Sequence, residues 1–118
     1  MDHILESINR AAVVVKPGKP FLDWLHRADP TSQNLTLADL QREPTIYLVP
    51  EYVEEHEVLT FLAEKVMQIF EEHLDGWYRV PEAWPAVRDL KTFQQWFEYS
   101  IHSQVVDLCE YLIEHEEW

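Results

Sequence analysis

The chain has 118 residues, 47% of them hydrophobic and 13% aromatic, and a formal net charge of −13. That length and composition suit one folded domain with a core of its own, not a disordered acidic tail. The charge repels phosphate backbones and anionic lipid and attracts basic partners, and the longest apolar run, Ala11 to Val15, is far short of a membrane span.

The acids are unevenly placed. Up to Pro50 six Asp/Glu stand against five Lys/Arg, a net of −1; from Glu51 onward sixteen stand against four, a net of −12. This second part also carries Trp77, Trp84, Trp96 and Trp118. The two glycines, Gly18 and Gly76, are too few for an all-β design with many tight turns or for a phosphate-cradling loop. The single Cys109 excludes an internal disulfide and fits a reducing compartment. Met1 to Glu6 shows no basic stretch followed by an apolar run, so the sequence predicts no secretory leader and a cytoplasmic location.

In chain order, Asp2 to Asn9 places Ile4, Leu5 and Ile8 at helical spacing, as a short helix or a frayed end. Arg10 to Lys16 is a β-branched run closed by Pro17-Gly18. It predicts a strand, and its continuous apolar character predicts burial on both faces at the centre of a sheet. Pro20 to Ala28 predicts a helix with Phe21, Leu22, Trp24 and Leu25 on its apolar side. Asp29 to Asn34 is a polar loop, after which Thr36 caps a short helix from Leu37 to Arg42. Thr45 to Val49 predicts a second strand, stopped by Pro50.

Val53 to Leu74 carries the clearest period. Val58, Leu59, Leu62, Val66, Ile69, Phe70 and Leu74 form one apolar stripe, with Glu54, Glu55, Glu57, Glu64, Glu71 and Glu72 largely off it. Gly76 is expected as the left-handed cap. Glu71 and Glu72 lie at the unfavourable end of the helix dipole, a small penalty that a cationic partner would offset. Trp77 to Arg88 is a proline-punctuated connection, and Asp89 caps a helix through Phe93, Trp96 and Phe97. The next stretch fits two readings. Ile101, Val105, Leu108 and Leu112 continue the helical period, while Ser103 to Cys109 fits a third strand. A two-stranded sheet is marginal, so we read helix to about Ile101 and strand to about Cys109. Tyr111 to Trp118 is a short acidic tail with one apolar cluster. The fold class expected is α+β: a small, about three-stranded, mainly antiparallel sheet with helices on one face, spanning residues 1–118 as one domain.

Six histidines invite a metal reading, but none forms a helical His pair with an adjacent Glu, and no metal ligand or cofactor is assigned. Glu71-Glu72-His73 and Glu114-His115-Glu116-Glu117 could at most bind a divalent ion weakly. Carboxylates beside the Glu-rich histidines should raise their pKa. Cys109, His102 and Asp107 do not make a nucleophilic set at their spacing as strand or as helix, and a buried structural Cys109 is expected. Asp23 beside Trp24 and Asp75 near Trp77 are the acid pairs to inspect, though so short a chain can hardly enclose a substrate cleft. Trp24, Trp77 and Trp96 are read as core; Trp84, between prolines, and Trp118 are read as exposed.

The block Asn9-Arg10-Ala11-Ala12-Val13-Val14-Val15-Lys16-Pro17 with Pro20-Phe21-Leu22-Asp23-Trp24 resembles the opening of a group of small acidic bacterial cytoplasmic proteins. Leu35-Thr36-Leu37, Thr45 to Pro50, Gly76-Trp77-Tyr78, Trp96-Phe97 and His102-Ser103 follow the same pattern. The resemblance implies a free-standing cytoplasmic domain and transfers no catalytic residue.

These features together predict a non-enzymatic acidic protein-binding module. Its partner would be a protein, with the charge favouring a basic one, and not nucleic acid or membrane. Glu54, Glu55, Glu71 and Glu72 would steer it, with Trp84 and Trp118 as anchors. A homodimer is compatible with an unpaired sheet edge. The alternative is a metal- or small-ligand-responsive domain built on His73 or His115 with neighbouring acids.

Overall fold

The computed structural model describes residues 5–116. It is an α+β fold in which a three-stranded antiparallel sheet carries helices on one face. The elements are β1 (Ala11–Pro17), α1 (Lys19–Ala28), α2 (Leu37–Gln41), β2 (Thr45–Val49), α3 (Glu55–Trp77), α4 (Leu90–Trp96) and β3 (Phe97–His102). Single 3-10 turns lie at Pro30–Ser32 and Pro81–Ala83.

The strand order is β2-β1-β3, so the β-branched run lies at the centre, as its composition predicts. Its burial is deeper on one side. Ala11, Val13 and Val15 join the core under the helices, while on the outer face Ala12 is buried and Val14 and Lys16 are half-buried. Pairing carries that alternation across the sheet. Val13 faces Tyr47 on one side and Ile101 on the other; Val14 faces Ile46 and Ser100.

The third strand is Phe97–His102, not 103–109, and α4 ends at Trp96 rather than continuing to Ile101. Phe97, Tyr99 and Ile101 alternate onto the core face, and this period of two outweighs the helical spacing from Phe93. Residues 103–116 form neither helix nor strand. No helix or strand forms at residues 5–10, and the first part of the Asp2 to Asn9 helix reading lies outside the described residues.

The caps follow from local chemistry. The Thr36 side chain accepts from Asp39 N–H at 3.2 Å while Asp39 reaches back to Thr36 N–H at 2.9 Å. Asp89 accepts from Thr92 N–H at 2.8 Å. At the start of α3, Glu57 accepts from Glu54 N–H at 2.8 Å. Gly76 does not act as a left-handed cap: α3 runs through it to Trp77, and no described glycine has positive φ. Gly18 has the steric role instead. Its N–H donates to the Trp96 carbonyl at 2.7 Å, and a Cβ there would lie 3.1 Å from that same oxygen.

The helices are joined to the sheet by an aromatic seam. Phe97 of β3 lies 5.4 Å from Phe21 of α1, 5.1 Å from Phe70 of α3 and 5.0 Å from Phe93 of α4, ring centre to ring centre. Such pairs add about 0.5–1.5 kcal/mol each beyond the area they bury. Phe70 is fully buried and also meets Trp96 at 5.6 Å. Replacing Phe70 by Ala should therefore cost about 3–5 kcal/mol in urea unfolding. A loss below about 1 kcal/mol would contradict the seam as the centre of the core.

Candidate functional site

The four acids expected to steer a partner do not form one surface. Glu54 and Glu55 begin α3 and are exposed, whereas Glu71 and Glu72 lie some sixteen residues on, about 24 Å along the axis. Three of the four already have partners: Glu54 lies 3.4 Å from His56 Nδ1 in the first turn of the helix. Glu71 pairs with Arg88 at 3.2 Å, and Glu72 accepts the Tyr47 hydroxyl at 2.9 Å. The dipole penalty at Glu71 is thus offset within the chain, by an arginine from the segment between α3 and α4.

Trp84 is half-buried rather than exposed. Its indole N–H donates to the Tyr78 carbonyl at 2.8 Å, and Arg88 lies 5.9 Å from its ring centre. Trp24 is buried, with its N–H given to the Ala83 carbonyl at 2.9 Å; Trp77 and Trp96 are half-buried against the core. Trp118 lies outside the described residues. Asp23 and Asp75 pair with Lys19 (3.0 Å) and Arg79 (3.8 Å) on the surface.

Sequence reasoning missed a cleft where the loop after β2 meets the first turns of α3. Pro50, Glu51, Tyr52, Glu57, Val58, Thr60, Phe61 and Glu64 enclose about 280 Å³. Tyr52 and Phe61 line it and pack against the core, while Glu57 and Glu64, two turns apart, share one side of the helix. Among the described residues Glu51 and Glu64 make no ion pair or hydrogen bond, and Glu57 accepts only backbone N–H groups. The Thr60 hydroxyl is given to the His56 carbonyl at 3.0 Å. The cleft therefore brings carboxylates and aromatic side chains to one place, with no activated nucleophile among its lining residues. Its signal in the sequence was the seven-residue spacing of Glu57 and Glu64 with Phe61 between them.

Tyr47, Glu72 and His73 form a second polar cluster, between β2 and the end of α3. Tyr47 donates to Glu72, leaving its oxygen to accept from His73 Nε2 at 3.3 Å. The His73 ring also packs edge-on against Phe97, centres 5.0 Å apart. Burial, with Glu72 adding to it, holds the Tyr47 phenol far above its ordinary range. Burial lowers the His73 pKa and outweighs the opposing pull of Glu72. This reverses the sequence expectation for His73, because the ring is turned inward from its acid-rich helix face. The cluster is closed on its own members and works as a tie between sheet and helix.

Cys109 is exposed, not buried, and its N–H donates to Asp107 at 2.8 Å. His102 lies back on the outer sheet face, bonded to Ser100 at 2.8 Å. Among the described residues no group of three or more His, Cys, Asp or Glu side chains could hold a metal ion, and no helix is long and apolar enough to cross a membrane. No family model, curated protein or solved structure matches the chain, so a functional reading rests on this geometry.

The depressed His73 pKa has a definite linkage sign. The unfolded chain binds this proton more readily than the folded one, so stability is lost as pH falls below the ordinary value of 6.5. Asp39 and Asp89 are lowered from 3.8 and act in a more acidic window. Urea unfolding at pH 7.5 and at pH 5.5 should show lower stability at the acid end, with a smaller difference in His73→Gln. An identical difference in the variant would remove His73 as its cause.

Proposed function

We propose that the chain is a non-enzymatic, cytoplasmic protein-binding module, an adaptor, inhibitor or immunity-type regulator, whose partner inserts a basic side chain into the cleft at the start of α3. The observation that carries this reading is the trio Glu51, Glu57 and Glu64 around Tyr52 and Phe61. Carboxylates supply charge-assisted hydrogen bonds to a guanidinium or ammonium group, and a ring face supplies cation–π attraction. Lys65 lies 5.8 Å from the Phe61 ring centre, so a partner's cation would compete with it for that ring.

About 280 Å³ suits one long side chain; the cleft adjoins a second hollow of about 530 Å³, also lined by Arg10, that shares Pro50, Glu51 and Phe61 with it. Around the cleft, Glu54 and Glu55 extend the negative field, and the net −12 from Glu51 onward draws a basic protein in over longer range. Such a field raises the on-rate more than the affinity. Glu71, Glu72 and Trp84, with internal partners, serve the fold in this reading.

The double variant Glu51→Lys/Glu64→Lys tests it. Wild-type protein should capture basic proteins from cell extract at low salt and release them at about 0.5 M salt, where charges are screened within a few ångströms. The variant should capture at least about tenfold less at low salt, the effect of losing two charge-assisted contacts. Capture unchanged by the reversal would contradict the cleft as the binding site.

A further inference from the structure

Among the described residues β2 pairs only with β1, so one side of it is an open edge. The ladder shows which groups line that edge. The Gly18 N–H bond to the Trp96 carbonyl extends the β1–β3 pairing by one step, so in β1 the even-numbered residues bond to β3 and the odd-numbered ones to β2. Thr45, Tyr47 and Val49 therefore direct their backbone groups at β1, and the N–H and C=O groups of Ile46 and Leu48 point away from the sheet. Among the described residues no backbone group of another segment bonds to them.

A hollow of about 300 Å³ runs along the same edge, lined by Tyr47, Leu48 and Val49. Consecutive strand residues point to opposite faces, so a hollow that touches three in a row lies at the strand's side and not over one face. Its other wall is α3, through Phe61, Lys65, Gln68 and Glu72, which step by four, three and four along one side of the helix. That wall is about 16 Å long, the span of an extended segment of about five residues. Phe61 also lines the acidic cleft at the start of α3, so groove and cleft meet at that ring.

We propose that the partner adds an extended segment to the open edge of β2 as a fourth strand, and that the basic side chain entering the cleft comes from the end of that segment nearest Pro50. This rests on the cleft reading and names the form in which the partner meets it. Ile46 and Leu48 supply the backbone pairing, and side chains alternate between the groove and the outer face. Charge sets the composition. At the Pro50 end Glu51, Glu57 and Glu64 outnumber Arg10 and Lys65, so a cation is favoured there. Farther along, Lys65 lines the groove and disfavours a second cation, so the rest of the segment is uncharged. Pro44 and Pro50 flank the edge and limit the ladder to the length of β2.

The probes are short capped peptides, one arginine followed by alternating valine and threonine, made in both residue orders to cover antiparallel and parallel addition. With the full chain, amide exchange at Ile46 and Leu48 should slow at least about tenfold on binding, and N-methylating the peptide groups that face β2 should weaken binding at least about tenfold. Glu51→Lys/Glu64→Lys should weaken the arginine peptide and not its glutamine counterpart. Binding that leaves exchange at Ile46 and Leu48 unchanged would overturn strand addition and leave the cleft reading intact. Slowed exchange that ignores the charge reversal would support the added strand and contradict the cleft. No binding by either peptide at about 1 mM, or protection of these amides that grows with protein concentration alone and so marks a second copy, would overturn the proposal.

Discussion

Every backbone pairing in the sheet passes through β1. β2 and β3 lie on either side of it and do not touch, so the strand that reads Ala-Ala-Val-Val-Val-Lys-Pro is the one element whose loss leaves the others unpaired. Val13 and Val15 are fully buried beneath the helices, and the ladder fixes which residues of β2 and β3 join them. Tyr47 is thereby brought to the end of α3, and Phe97 under Phe21, Phe70 and Phe93. The same alternation turns Ile46 and Leu48 away from the helices, so burial on one side and bareness on the other have a single cause.

Much of this was legible because the local signals agreed. The β-branched run, the strand before Pro50, the stripe of α3 and the caps at Thr36 and Asp89 were each specified by nearest neighbours along the chain. The failures occurred where two periods overlapped or where tertiary contact decided. Phe93, Phe97 and Ile101 keep a helical spacing, yet Phe97, Tyr99 and Ile101 also alternate, and pairing with β1 selects the strand. Gly76 was read from a general tendency of helix ends, but Trp77 packs against the core and draws the helix past it. His73 was read from its neighbours Glu71 and Glu72, although its position on the helix turns it toward Tyr47 and Phe97.

The site was less legible than the fold. Acid density pointed to Glu54, Glu55, Glu71 and Glu72, but density along a chain does not report which carboxylates find cations within it. Arg88 and Tyr47 come from distant segments and engage one member each of the second pair. The acids left without partners around the cleft include Glu51, which precedes the helix and meets Glu57 and Glu64 because the chain bends at Val53 and Glu54 into α3. An unneutralised carboxylate beside a ring suits recognition of a cation, and the polar cluster at Tyr47, by contrast, has its hydrogen bonds satisfied internally. The start of α3 is therefore where the proposed basic side chain would bind, and the Tyr47 cluster is not.

Native-state amide hydrogen exchange tests the central role of β1 most directly. The account predicts that the N–H groups of Val13, Val14 and Val15 exchange only through global unfolding, at least as slowly as the middle of α3. Exchange of those three amides through a smaller opening, while the middle of α3 stays protected, would contradict it.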